Sequence, residues 1–151
     1  MIIDTHTHFY DPSRPQGIPW PEQDDETLPH RALPEDYKAL AVPEGVTGTI
    51  MVECSPWLED NQWVLDLAAQ DPFIVGLVGH LEPDDPDFAG QIARFAADPV
   101  FRGIRARLDP SADHGLAAAA MLIEQDLQLD TGMHESVPTL AAHFPELRIV
   151  I

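Results

Sequence analysis

The sequence predicts an α/β fold built on a parallel sheet, and three observations predict it. Short β-branched runs alternate strictly with longer stretches of helical period. The third run, Phe73–Gly79 (FIVGLVG), is apolar on both faces, as a parallel strand covered on both sides must be. Strand then helix recurs five times before a sixth strand, an order that requires right-handed crossovers in a parallel sheet.

Each element follows from its residues. Ile2–His6 is the first strand. Residues 11–34 carry six prolines (Pro12, Pro15, Pro19, Pro21, Pro29, Pro34) and no apolar period, which predicts a long ordered loop or lid. Glu35–Val42 forms a short helix with Tyr37, Leu40 and Ala41 on one side, stopped by Pro43 and Gly45. Val46–Glu53 (VTGTIMVE) is the second strand. Asp60–Ala69 is a helix whose apolar face is Trp63, Val64, Leu67 and Ala68, ended by Asp71-Pro72. After the third strand, Asp87–Ala97 places Phe88, Ile92, Phe95 and Ala96 at helical spacing.

Phe101–Leu108 (FRGIRARL) is a strand on which Arg105 and Arg107 share a face. His114–Glu124 is an alanine-rich helix and Leu127–Met133 a strand. Ser136 is placed to cap a helix running to about His143. Leu147–Ile151 (LRIVI) is the sixth strand.

Composition narrows the function classes. The chain has 151 residues, 44% of them hydrophobic, enough for one globular domain. Eight Lys and Arg against 26 Asp and Glu give a net charge of −18, which repels phosphate backbones and anionic membranes. A nucleic-acid or membrane partner is therefore not expected, and a small-molecule substrate is. No apolar run approaches the roughly 20 residues that span a bilayer. The N-terminus has neither a basic stretch nor a small-residue cleavage site, so a cytoplasmic protein is expected. The single cysteine, Cys54, excludes an internal disulfide and a multi-cysteine metal site.

Two architectures suit the element order: an open doubly wound sheet and a (β/α)-barrel. No glycine-rich phosphate loop follows the first strand, which counts against a dinucleotide-binding sheet. An eight-fold barrel takes about 250 residues. The sequence accounts for about five and a half of its eight βα units, and it stops within an apolar strand, as a fragment or truncated reading frame would.

The chemistry centres on Asp4-Thr5-His6-Thr7-His8. Side chains two apart on a strand point the same way, so Asp4, His6 and His8 project to one side. Two imidazoles about 6–7 Å apart at Cα can converge on one divalent ion. Zinc is the default for imidazole ligands, with manganese or iron as alternatives. The plainer reading is two histidines in a polar exit from a strand.

IIDTHTHFYDPSRPQGIPWP, followed by GVTGTIMVE, DPFIVGLVG, FRGIR and FPELRIVI, resembles the amidohydrolase-related family (amidohydrolase 2) of metal-dependent TIM-barrel hydrolases. Within it, the sequence is similar to the branch containing lactonases that act on sugar lactones and pyrone dicarboxylates. The resemblance runs from residue 2 to 151 and implies one barrel domain, truncated at the sixth strand.

It implies His6 and His8 as first-strand metal ligands. A third family histidine ends the fifth strand; Asp130 stands there, with His134 four residues on. Asp130 is the candidate to ligate a metal or orient a water, and His134 is a rim residue on the substrate side. A further family histidine follows the sixth strand and the catalytic aspartate ends the eighth; neither is present. Some lactonases of this branch work without an obligatory metal, so the resemblance leaves the ion's necessity open. The implied activity is hydrolysis of a lactone or other cyclic ester or amide of a small anionic substrate.

Other polar residues supply substrate-side candidates. Arg105, with Arg107 on the same face, suits a bidentate grip on a carboxylate or lactone carbonyl, and equally a surface ion pair in so acidic a protein. Trp20, Trp57 and the proline loop would roof a pocket. Glu53, at the end of the second strand, reads as a satisfied polar residue first and as a partner that orients a histidine second, whereas Trp63 reads as core and Cys54 as a small hydrophobe. His30, His80, His114 and His143 show no ligand spacing. Three other readings stand beside hydrolysis: a decarboxylase or lyase of the same family, a phosphoesterase-type barrel, and a catalytically inactive fragment. Open sheet edges would pair between chains, so a homo-oligomer is expected.

Overall fold

The computed structural model describes residues 1–22, 25, 28 and 31–151. His30 and part of the proline loop lie outside the described residues. The elements run β1 (Ile2–Thr7), α1 (Pro34–Ala41), β2 (Val46–Val52), α2 (Leu58–Gln70), β3 (Ile74–Gly79), α3 (Phe88–Ala96), β4 (Phe101–Arg105), α4 (Asp113–Glu124), β5 (Gln128–Asp130), α5 (Val137–His143) and β6 (Ile149–Val150). The alternation read from the sequence is present throughout. No helix among the described residues is long and apolar enough to cross a membrane. The chain divides into two compact units, Met1–Leu77 and Val78–Ile151.

In the first unit the strands lie in the order β1-β2-β3, and β1 pairs β2 in parallel. The β1–β2 register shifts twice, between Ile2 and Ile3 and between Asp4 and Thr7. Gly48 sits in a tight spot in this sheet, where a Cβ would meet Ile3 Cδ1 at 3.0 Å and Val75 Cγ1 at 3.1 Å and those side chains would have to shift slightly. Phe9, Met51, Val64 and Leu77 are buried together on the face that α2 covers.

Helix α2 begins two residues earlier than its apolar period suggests, and its buried positions are Asn61, Val64 and Leu65. Trp63 is half-buried rather than core, and the Arg14 guanidinium covers its ring at 4.3 Å from the ring centre. Helix α1 starts at Pro34, whose missing N–H costs nothing in a first turn. Asp36 reaches back to accept the Leu33 N–H at 3.2 Å, and Gly45 ends the segment at a φ of 89°.

In the second unit β4, β5 and β6 follow in chain order and pair in parallel. Helix α3 buries Phe88, Ile92 and Phe95 as its spacing predicts, and α4 buries Gly115, Ala118, Ala119 and Leu122. The strands are shorter than their apolar runs. Asp126 turns left-handed at a φ of 56° and the Leu127 N–H donates to Leu122 O, so Leu127 completes the helix exit instead of entering β5. Ser136 directly precedes α5 but does not cap it. Its backbone is already helical, and its hydroxyl donates to Leu108 O at 3.2 Å.

Candidate active site

The end of β1 is fixed by a chain of hydroxyls. The Thr7 and Thr49 hydroxyls lie 2.8 Å apart and share a hydrogen bond, with Asp4 O 3.2 Å from Thr49 Oγ1 and Ile50 O 3.4 Å from Thr7 Oγ1. Both threonines are buried, and Thr7 and Phe9 thereby take one face while His6 and His8 alternate with them. The two imidazoles meet edge to face, with ring centres 5.0 Å apart. His8 Nδ1 lies 2.8 Å from Val52 O. A carbonyl only accepts, so Nδ1 carries the hydrogen, and in the neutral ring the lone pair is then on Nε2. A backbone carbonyl thus orients the ring in the way a metal-bound histidine requires.

Asp4 is held on both oxygens. Oδ1 accepts the His6 N–H at 3.0 Å and Oδ2 accepts the Tyr37 hydroxyl at 2.6 Å. Burial, then the hydrogen bond to Asp4 and its charge, push the Tyr37 phenol up to about 12. Asp4, His6, His8, Arg31, Asp36 and Tyr37 line an open hollow of about 460 Å³. Trp20 touches His8 edge to face with ring centres 5.6 Å apart, and touches Tyr10 at the same separation. Among the described residues no three His, Cys, Asp or Glu side chains gather as a metal site would require. The donor set therefore fits an ion in part, with two nitrogens where a catalytic zinc takes three protein ligands.

Glu53 follows β2 and lines a small cavity of about 20 Å³ together with Cys54, Arg14 and Trp20. Burial, and then the nearby Glu53 and Asp60 carboxylates, push the Cys54 thiol up to about 12, which suits the unreactive role read for it. Trp57 is partly exposed beside Ser55.

In the second unit Arg105 and Asp130 close β4 and β5 as register partners, with Nε 3.4 Å from Oδ1. Arg107 is exposed beyond the end of β4 and is not brought to that pair. His134 has both ring nitrogens engaged, Nδ1 with Ser136 Oγ at 2.6 Å and Nε2 with Thr131 Oγ1 at 3.1 Å. Because Ser136 gives its proton to Leu108 O, it accepts from His134 Nδ1. His134 is a loop strut. His80 pairs Glu82 at 2.9 Å, His143 Nδ1 donates to Thr139 O, and His114 is exposed.

Sequence reasoning missed Arg14, whose buried guanidinium pairs with Asp60, and the Asp4–Tyr37 contact. Arg14 had a signal: it is the lone Lys or Arg of residues 11–30 in a chain with only eight. Tyr37 had none, since only tertiary packing brings it to Asp4.

The amidohydrolase family model (Amidohydro_2) matches residues 3–151. The chain belongs to the amidohydrolase family. It is 32% identical over 160 residues to an L-fucono-1,5-lactonase of Burkholderia ambifaria, a match covering 99% of this chain and 55% of that protein. An amidohydrolase structure from Burkholderia multivorans with bound HEPES superposes at a TM-score of 0.82 and 21% identity, over 100% of this chain and 56% of the other. A form from the same organism with bound zinc gives 0.76 at 22% identity, over 95% and 53%. The chain spans about half the length of the relatives it matches. The fold is that of the (β/α)-barrel amidohydrolases, of which this chain carries six strands.

Proposed function

We propose that the chain contributes the first-strand metal ligands and part of the substrate site of a barrel hydrolase that opens lactones. The observation that carries this reading is the convergence of His6 and His8 at 5.0 Å, with the His8 tautomer fixed by Val52 O. His8 would offer Nε2 to a divalent ion, zinc first, and His6 would offer a ring nitrogen. Such an ion, when bound, polarises the carbonyl and makes water more acidic. The zinc-bound amidohydrolase and the L-fucono-1,5-lactonase support both halves of the reading.

The chain's own residues supply the rest. Asp4 and Tyr37 hold the His6 backbone, and Trp20 covers one edge of His8. Asp130 would orient or deprotonate water and Arg105 would hold the substrate's carbonyl or carboxylate, both from strand ends where barrel enzymes carry catalysis. Arg107 and His134 remain rim contacts in this proposal. Water adds to the acyl carbon, the ring C–O bond breaks with the ring oxygen leaving as a hydroxyl, and a hydroxy carboxylate and one proton are released.

The experiment titrates the metal-free chain with zinc against a chromophoric chelator, then follows proton release from an L-fucono-1,5-lactone solution. Zinc binding that weakens in His6→Ala and His8→Ala by more than the roughly 10–100-fold cost of losing a supporting residue sustains the proposal. Absence of both zinc binding and turnover overturns it. Release of carbon dioxide or phosphodiester cleavage would assign the decarboxylase or phosphoesterase reading instead.

A further inference from the structure

Arg14 is a charged side chain with no part in the reading above, yet only 9% of it is exposed. Burying a guanidinium is costly unless every aspect of it is matched. Here Asp60, itself 12% exposed in the first turn of α2, takes the charge, and the Trp63 ring takes the flat face at 4.3 Å. That combination of a planar fork and an aromatic stack selects arginine over lysine and fixes direction as well as distance.

The backbone around Arg14 is turned tightly on both sides. The Arg14 N–H donates to Asp11 O at 3.3 Å, the Gly17 N–H to Arg14 O at 2.8 Å, and Ser13 folds onto the Asp11 carboxylate. Gly17, at a φ of 70°, is the left-handed residue such a sequence of turns needs. The loop also has a fixed base, where Tyr10 and Ala32 exchange backbone hydrogen bonds of 2.8 and 3.0 Å. Trp20 lies six positions after Arg14 between two prolines, so little slack separates the anchor from the indole. The indole edge rests on His8 and Tyr10, and the side chain also borders the small cavity, which leaves the residue 38% exposed.

We propose that Arg14 is a positioning residue: its pair with Asp60 and its stack on Trp63 hold residues 11–20 so that Trp20 stays seated on His8 as a fixed roof over the imidazole pair. An apolar residue at position 14 would hold the loop only through non-directional contact, leaving the indole free to swing away. The inference rests on the proposed function only in treating His8 as a site residue.

The test reads the His8 imidazole resonances of the metal-free chain by ¹H–¹³C correlation, assigned through His8→Gln. Trp20→Leu removes the ring current and sets the displacement that marks an uncovered His8. Arg14→Met is expected to move the His8 signals in the same direction by most of that displacement, with Arg14→Lys between it and the parent. Should Arg14→Met fail to fold, Asp60→Asn is read in its place with the same expectation. His8 signals unchanged in the Arg14 and Asp60 variants but moved by Trp20→Leu would overturn the proposal, as would signals unmoved by Trp20→Leu. Neither metal nor substrate enters this measurement, so it can fail while the lactonase reading stands, and the reverse.

Discussion

Arg105 and Asp130 face each other in register across the parallel β4–β5 ladder, Nε to Oδ1 at 3.4 Å, the carboxylate nearly buried and the guanidinium partly open to solvent. Removing the cation strands a buried charge, whereas removing the charge of the carboxylate leaves an arginine that can turn outward. Arg105→Met is therefore expected to cost about 2 kcal/mol in urea unfolding at neutral pH, and Asp130→Asn less. A double variant whose loss equals the sum of the single losses would show that the two residues do not depend on each other.

The chain has two tyrosines, and both phenols are raised, Tyr10 by burial first and Tyr37 to about 12. A raised folded value means that the native state holds its proton more tightly than the unfolded chain. The resulting stability is complete below pH 10 and is lost as pH climbs from there through about 12. Absorbance at 295 nm should show tyrosinate forming later in the native protein than in denaturant. Tyr37→Phe should delete the later part of that curve and cost about 1 kcal/mol at neutral pH.

Cys54 holds its thiol proton up to about 12, and its Sγ lies 3.5 Å from Phe9 O. Because the thiolate is the reactive species, a disulfide reagent at pH 8 should modify the native protein slowly and the denatured protein at once. Equal rates would place Cys54 at an open surface, against its location beside the small cavity.

Gly103 in β4 runs so close to β5 that an added Cβ would fall 2.1 Å from Gln128 O. Backbone cannot yield as a side chain can, so Gly103→Ala should cost about 3 kcal/mol or more and lower the thermal midpoint sharply. Gly132, with nothing within 4 Å, is the control: Gly132→Ala should lie within about 0.5 kcal/mol of the parent.

Hydrophobic period alone determined the order of elements, because burial of apolar faces dictates it: the Phe88, Ile92 and Phe95 face of α3 and the doubly apolar β3 read directly from the chain. The His6 and His8 pair was equally legible, since strand alternation is local and sends both rings to one side. Tertiary structure decided what depends on distant partners. It shortened β5 by turning Leu127 into the exit of α4, moved Trp63 from core to a platform for Arg14, and made His134 a strut between Thr131 and Ser136. It also joined Tyr37 to Asp4 across 33 positions. Periodicity reports which face of an element avoids water; which polar group meets which is set by loop paths and close packing, and those appear only when the chain has folded.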